Sequence, residues 1–163
     1  MKDIQDIVEG LRRSPGVLSC LVQGIPEGKL DVRRGECFWT ITEHVSHLAH
    51  VQPMLLERIQ RFLKEDHPEF IPFLPAGGED GLMTQPLLEI NVALELFALY
   101  REKQLALLNG LDAAAWRKTG THPEYEFYSL PILARHVLMH DYWHMYRIEE
   151  LWLTKDAYLT KVF

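Results

Sequence analysis

No uninterrupted apolar run in this sequence approaches the ~18 residues that a membrane span requires, so no membrane segment is expected. Cysteine is scarce. Cys20 and Cys37 are the only two, too few for a disulfide framework, and they read as reduced thiols of a cytoplasmic protein. Positive charge is also in short supply. The 17 Lys and Arg residues are scattered among 23 Asp and Glu residues, for a net charge of −6. Nucleic-acid binding relies on dense basic charge to displace phosphate counterions, so no nucleic-acid partner is expected. The opening Met1-Lys2-Asp3-Ile4-Gln5-Asp6 has no apolar core of the signal-peptide kind. No stretch alternates with the two-residue period of a strand, and there is no internal repeat or low-complexity tract.

What remains is ordinary bulk with one unusual ingredient. The chain has 163 residues, 47% hydrophobic and 25% charged. That is enough to bury a core without covalent staples, and it fits one domain over residues 1–163. The unusual ingredient is histidine, of which there are eight.

Periodicity predicts helices throughout. Ile4, Ile7, Val8 and Leu11 recur at helical spacing in a region from Met1 to about Gly24, where Ser14-Pro15 reads as a restart with Ser14 as N-cap. Residues 27–38 read as loop. Thr40-Ile41-Thr42-Glu43 has the form of a capping box. From it an apolar stripe (Ile41, Val45, Leu48, Val51, Leu55, Ile59, Phe62) runs to about Lys64, with a kink expected at Pro53. Residues 66–85, rich in Pro and Gly, form a long loop. Its Phe70, Ile71, Phe73 and Leu74 suggest packing, and long loops of this kind often serve binding. A third helix is expected from about Pro86 to Asn109, buried through Leu88, Val92, Leu96, Leu99, Leu105 and Leu108, with Gly110 as its stop. A short helical turn follows at Asp112–Trp116, then loop over 117–128. A fourth helix runs from an N-cap at Ser129 to about Leu153. A few long helices joined by loops make an all-α helix bundle.

The histidines fall on two of these helices. His136, His140 and His144 are spaced four apart, so neighbouring rings stack on one face. Eight residues rise about 12 Å, so one metal ion can use only one adjacent pair. Leu130, Leu133, Val137, Ile148, Leu151 and Trp152 define the buried side. His144 falls within it, His140 on its flank and His136 toward solvent, so the pair facing inward is His140 and His144. Asp141 also falls on the buried face, where a carboxylate needs a partner. It would either orient a ligand imidazole or pair with an arginine. On the second helix, spacing puts His44 most inward, His47 on the flank and His50 outward. The third ligand is therefore His44 or His47.

Trp39-Thr40-Ile41-Thr42-Glu43-His44-Val45-Ser46-His47-Leu48 resembles the W-S-x-x-E-x-x-x-H-L segment of DinB-like proteins. His140-Asp141-Tyr142-Trp143-His144 resembles their C-terminal H-[DE]-x-x-H segment, and the stretch from Leu111 to Pro123 is similar to their middle-to-late region. The resemblance spans about residues 10–153. It implies a four-helix bundle of up-down-down-up topology, frequent pairing as a homodimer, and one divalent metal on His47, His140 and His144, with His44 as the runner-up ligand. It also implies membership among thiol-dependent transferases, mycothiol-dependent maleylpyruvate isomerases and metal-dependent hydrolases. Relatives often carry Gln three residues after the last histidine, where this chain has Arg147.

Three imidazoles leave coordination positions open. A divalent ion held by them, whether nickel, zinc or iron, can polarise a carbonyl, activate water or hold a thiolate. The expected function is a metal-dependent hydrolase or thiol S-transferase acting on a small molecule, with a low-molecular-weight thiol as co-substrate. The alternatives are a non-catalytic metal-binding or stress-response module, or an inert bundle. No residue stands out as general base. Glu43 reads as a helix cap, Trp39 as packing and Cys37 as a buried thiol near Trp39. His122 reads as a surface residue that could line a pocket mouth, and Tyr125 and Tyr128 are further candidates there.

Overall fold

The computed structural model describes residues 2–36, 38–72 and 85–160. Cys37 and most of the long loop, including Phe73 and Leu74, lie outside them. Helix α1 covers Lys2–Gln23, α2 Glu27–Leu30, α3 Ile41–His50, α4 Gln52–Lys64, α5 Ile90–Leu108 and α6 Leu130–Leu153. The short strands β1 (Thr119–Gly120) and β2 (Tyr128–Ser129) pair antiparallel.

Helix α1 packs on α5 and α6, and the α3–α4 rod packs on the same two from the opposite corner. Gly10 meets Leu138 and Gly24 meets Trp152, so α1 and α6 run parallel. Arg12 donates to Asn109 at the other end of α5, and His44 and His47 meet His144 and His140. Both of those pairs of helices are therefore antiparallel. The result is a four-helix bundle with up-down-down-up topology.

Several local expectations are corrected. Pro15 lies inside a continuous α1, and Ser14 does not cap a restart. Its buried hydroxyl donates to the Leu11 carbonyl at 3.1 Å, a bond internal to the helix. Residues 27–38 contain the four-residue α2. The second helix is interrupted at Val51, two residues before Pro53, and so counts as α3 and α4. Pro53 sits at the start of α4, where its missing N–H costs little. The capping box at Thr40 forms as expected, with the Thr40 side chain accepting from the Glu43 amide and the Glu43 carboxylate accepting from the Thr40 amide. Ser129 precedes α6, but its side chain makes no capping bond. The short turn after Asp112 is a 3-10 helix, Ala115–Arg117.

Helix α5 starts at Ile90, capped by Glu89, and its buried face differs from the expected one. Val92 and Leu99 are exposed, whereas Ala93, Phe97, Arg101, Gln104, Leu105 and Leu108 are buried. In the long loop Phe70 is buried, but Ile71 is exposed.

The core has two apolar clusters. One gathers Ile7, Leu11, Leu55, Phe62, Leu108 and Val137. The other gathers Leu18, Val45, Leu48, Phe97, Met145 and Ile148. Each fully buried aliphatic side chain here contributes roughly 1.5–3 kcal/mol. Each of the longer helices α1, α4, α5 and α6 also has buried polar side chains, Ser14, Gln52, Arg101, Gln104 and Asp141, and α3 and α6 bring the histidines. Gln104 Nε2 donates to Gln52 Oε1 at 2.9 Å, and Arg101 Nη2 donates to Asp141 Oδ2 at 2.7 Å.

Candidate metal centre

The capping box fixes where α3 begins and so which way its histidines turn. His44 and His47 point across the bundle at α6, both buried. The ring nitrogens of His47, His140 and His144 all lie within 4.8 Å of one another. His47 Nε2 and His140 Nε2 are 3.2 Å apart. His44 joins the group at one remove, with its Nδ1 2.8 Å from His144 Nδ1. That contact occupies one nitrogen of His144 and leaves Nε2 as its coordinating atom. Of the two open choices on the second helix, the structure thus puts His47 in the cluster and His44 behind it. His136 is exposed, in keeping with its place on the helix wheel. His50 is half-buried and meets the Pro86 carbonyl at 2.9 Å.

The environment keeps these rings neutral. Burial is the main cause in each case. It pushes His44 down to about 3, helped by the charge of Arg147. It pushes His47 down to about 4, helped by His50. His140 falls to about 3 through burial, His47 and His136, and His144 is held well below the usual imidazole range. A neutral imidazole with an available lone pair is the form that binds a metal ion. His140 Nδ1 is buried and makes no hydrogen bond in the structure, so the one polar contact of this ring is the one its Nε2 makes with His47. Three neutral nitrogen donors on two rigid helices fit a divalent cation well, and no carboxylate or thiol among the described residues joins them.

Trp39, half-buried, roofs this cluster. Its ring lies 5.3 Å from His44, 5.0 Å from His47 and 5.9 Å from His144. Trp143 closes the other side, 4.7 Å from His144. Asp141 does not orient a ligand ring. It takes the other course open to it and pairs with Arg101, while burial still pushes its carboxyl up to about 6. Arg147 turns away from the histidine rings to Glu150 and the Thr160 carbonyl.

Beside the cluster lies a cavity of about 180 Å³ whose wall includes His47 and His140. His122 lines it too and is buried rather than on the surface. Its loop is pinned at both ends. Gly120 pairs with Tyr128, Thr121 donates to the Pro68 carbonyl at 2.9 Å, and Phe70 donates to the Thr121 carbonyl at 2.8 Å. A Cβ on Gly120 would stand 2.6 Å from the Pro68 carbonyl oxygen, so only glycine permits this approach. Tyr125 stacks behind His122, edge to face at 5.1 Å, rather than lining the cavity.

An up-down-down-up bundle with a three-histidine cluster between its second and fourth rods defines the class. A family model for the DinB superfamily matches residues 11–152, and the chain belongs to that superfamily. Among solved structures it is similar to YfiT from Bacillus subtilis, described as a probable metal-dependent hydrolase with an unusual four-helix bundle topology. The two share 22% identity and a TM-score of 0.73, over 91% of this chain and 85% of that one, a likeness of fold. No curated protein sequence matches the chain. Among the described residues no helix is long and apolar enough to cross a membrane.

Proposed function

We propose that this protein is a metal-dependent enzyme for a small molecule, a hydrolase or a thiol S-transferase, with His47, His140 and His144 holding a divalent nickel, zinc or iron ion. The observation that carries this reading is the convergence of three neutral imidazoles, two of which, His47 and His140, line a cavity. The superfamily assignment and the description given to YfiT support it. A divalent ion bound there supplies Lewis acidity toward an oxygen or sulfur atom of a substrate.

The chain's own residues do the rest. His47 and His140 line the cavity with their Nε2 atoms 3.2 Å apart, and His44 fixes the tautomer of His144. Trp39 lies against three of the rings and limits the access of bulk water to them. That raises the strength of any electrostatic interaction inside.

The test is metal content by elemental analysis of protein purified without a polyhistidine tag, followed by assay of the loaded protein against thiol-transfer and ester- or amide-hydrolysis substrates. One equivalent of metal, lost in His140→Ala together with activity, is the expected result. Stoichiometric metal without any turnover would leave a binding module, and no metal at all would end the reading.

A further inference from the structure

The cavity beside the histidines has a second end, and its chemistry differs from the first. Helix positions 47, 51, 54, 55 and 58 follow one face across the α3–α4 junction, and all five line the cavity. At one end stand His47 and His140. In the middle the walls are apolar: Val51, Met54, Leu55 and Val137. At the far end stand Arg58 and His122.

Arg58 is half-buried, and helical side chains lean toward the N-terminus of their own helix, here back toward His47. Its Nη2 donates to the Ile71 carbonyl at 2.6 Å, and its guanidinium lies 5.7 Å from the centre of the Phe70 ring. Among the described residues no carboxylate pairs with it. The neighbouring Glu124 turns its carboxylate to His122 Nδ1, at 4.0 Å, and is largely exposed. The other arginines that meet the bundle core behave differently: Arg101 has Asp141 and Arg147 has Glu150. A guanidinium has five donors in a planar fork that matches a carboxylate. Arg58 donates to the Ile71 carbonyl, lies close to the Tyr128 hydroxyl, and lines a half-apolar cavity with donors to spare.

We infer that this cavity binds a small organic monoanion: a carboxylate seated on Arg58, an apolar body against Val51, Met54, Leu55 and Val137, and the reacting group at the histidine end. This rests on the reading of the three histidines as the reactive centre. A single fixed cation matches one negative charge. The volume of about 180 Å³ lies below the ~300 Å³ at which drug-sized pockets begin, which sets the scale of the molecule.

The probe is benzoate, compared with its neutral isostere benzamide and with acetate, titrated calorimetrically into the full chain, both metal-free and zinc-loaded. Benzoate is expected to bind the metal-free protein, and more tightly than either comparison ligand. Arg58→Gln should weaken it by about tenfold or more, while Arg58→Lys, which keeps the charge, weakens it less. Glu124→Gln removes the one competing carboxylate of the wall and should tighten it, which guards against an Arg58 variant that merely misfolds. Benzoate affinity equal to that of benzamide, unchanged by Arg58→Gln, or absent altogether overturns the inference. The two readings fail separately. Arg58-dependent benzoate binding in a protein that takes up no metal keeps the anion site and removes the metal centre. Stoichiometric metal with benzoate indifferent to Arg58 does the reverse.

Discussion

The Nδ1 atoms of His44 and His144 lie 2.8 Å apart, and a nitrogen pair at that distance shares a single hydrogen. With His144 coordinating through Nε2, its Nδ1 carries the hydrogen and donates it, so His44 accepts and holds its own hydrogen on Nε2. A ligand histidine fixed by such a partner keeps its ring orientation and gains basicity. His44→Leu is therefore expected to lower metal affinity by about 10–100-fold with stoichiometry unchanged. Competition against a chelator measures the affinity. Loss of stoichiometric binding would instead make His44 a ligand.

Trp39 and Trp143 report on the same place. Both rings lie within van der Waals reach of His144 or its neighbours, whereas Trp116 and Trp152 belong to the apolar clusters. Nickel binding is expected to quench tryptophan emission. The double variant Trp39→Phe/Trp143→Phe should lose the quenching while keeping the emission of the other two. Quenching that survives the double variant would place the ion elsewhere.

Arg101 and Asp141 are buried together, with side-chain exposures of 1% and 0%. Removing one member strands the other charge. Asp141→Ala is expected to destabilise the fold by about 3–5 kcal/mol, measured by urea unfolding. Replacing both with apolar residues of similar volume should recover most of that loss. If the double replacement is as unstable as the single one, the pair stabilises the bundle beyond mere charge compensation.

Acid should unfold the metal-free protein early. In the unfolded chain each histidine takes up a proton below about pH 6.5. In the fold His47 resists protonation to about pH 4, and His44 and His140 to about pH 3. The unfolded state therefore binds more protons across that window. Stability contributed by the neutral rings is complete above pH 6.5 and is lost as pH falls from there toward 3. The Tm in chelator should drop steadily between pH 7 and pH 5. A flat profile would mean the rings are not buried neutral.

Much of this architecture is legible in the residues, for identifiable reasons. The capping box is local chemistry, and Thr40 and Glu43 form it as written. The inward pair His140 and His144 follows from one clean apolar stripe on α6. Helix α5 misleads because its interior face carries Arg101 and Gln104. A leucine-rich helix with polar residues on its buried side offers several equally good stripes, and only the facing Asp141 and Gln52 select one. His122 reads as a surface residue because its burial depends on Pro68 and Phe70, some fifty positions away, pairing with its loop. Between His44 and His47 the helix period alone favours His44, since both turn inward and only the reach across to α6 separates them. The cluster with His140 and His144 contains His47, as the resemblance to DinB-like proteins implies.

The placement of Arg58 on the same helical strip as His47 gives the bundle a built-in ruler. Each helical residue rises about 1.5 Å, so shifting the positive anchor from position 58 to 55 would shorten the span it measures by about 4.5 Å. A lineage of such proteins could then retune the length of molecule it accepts by exchanging two side chains, leaving its histidine end untouched.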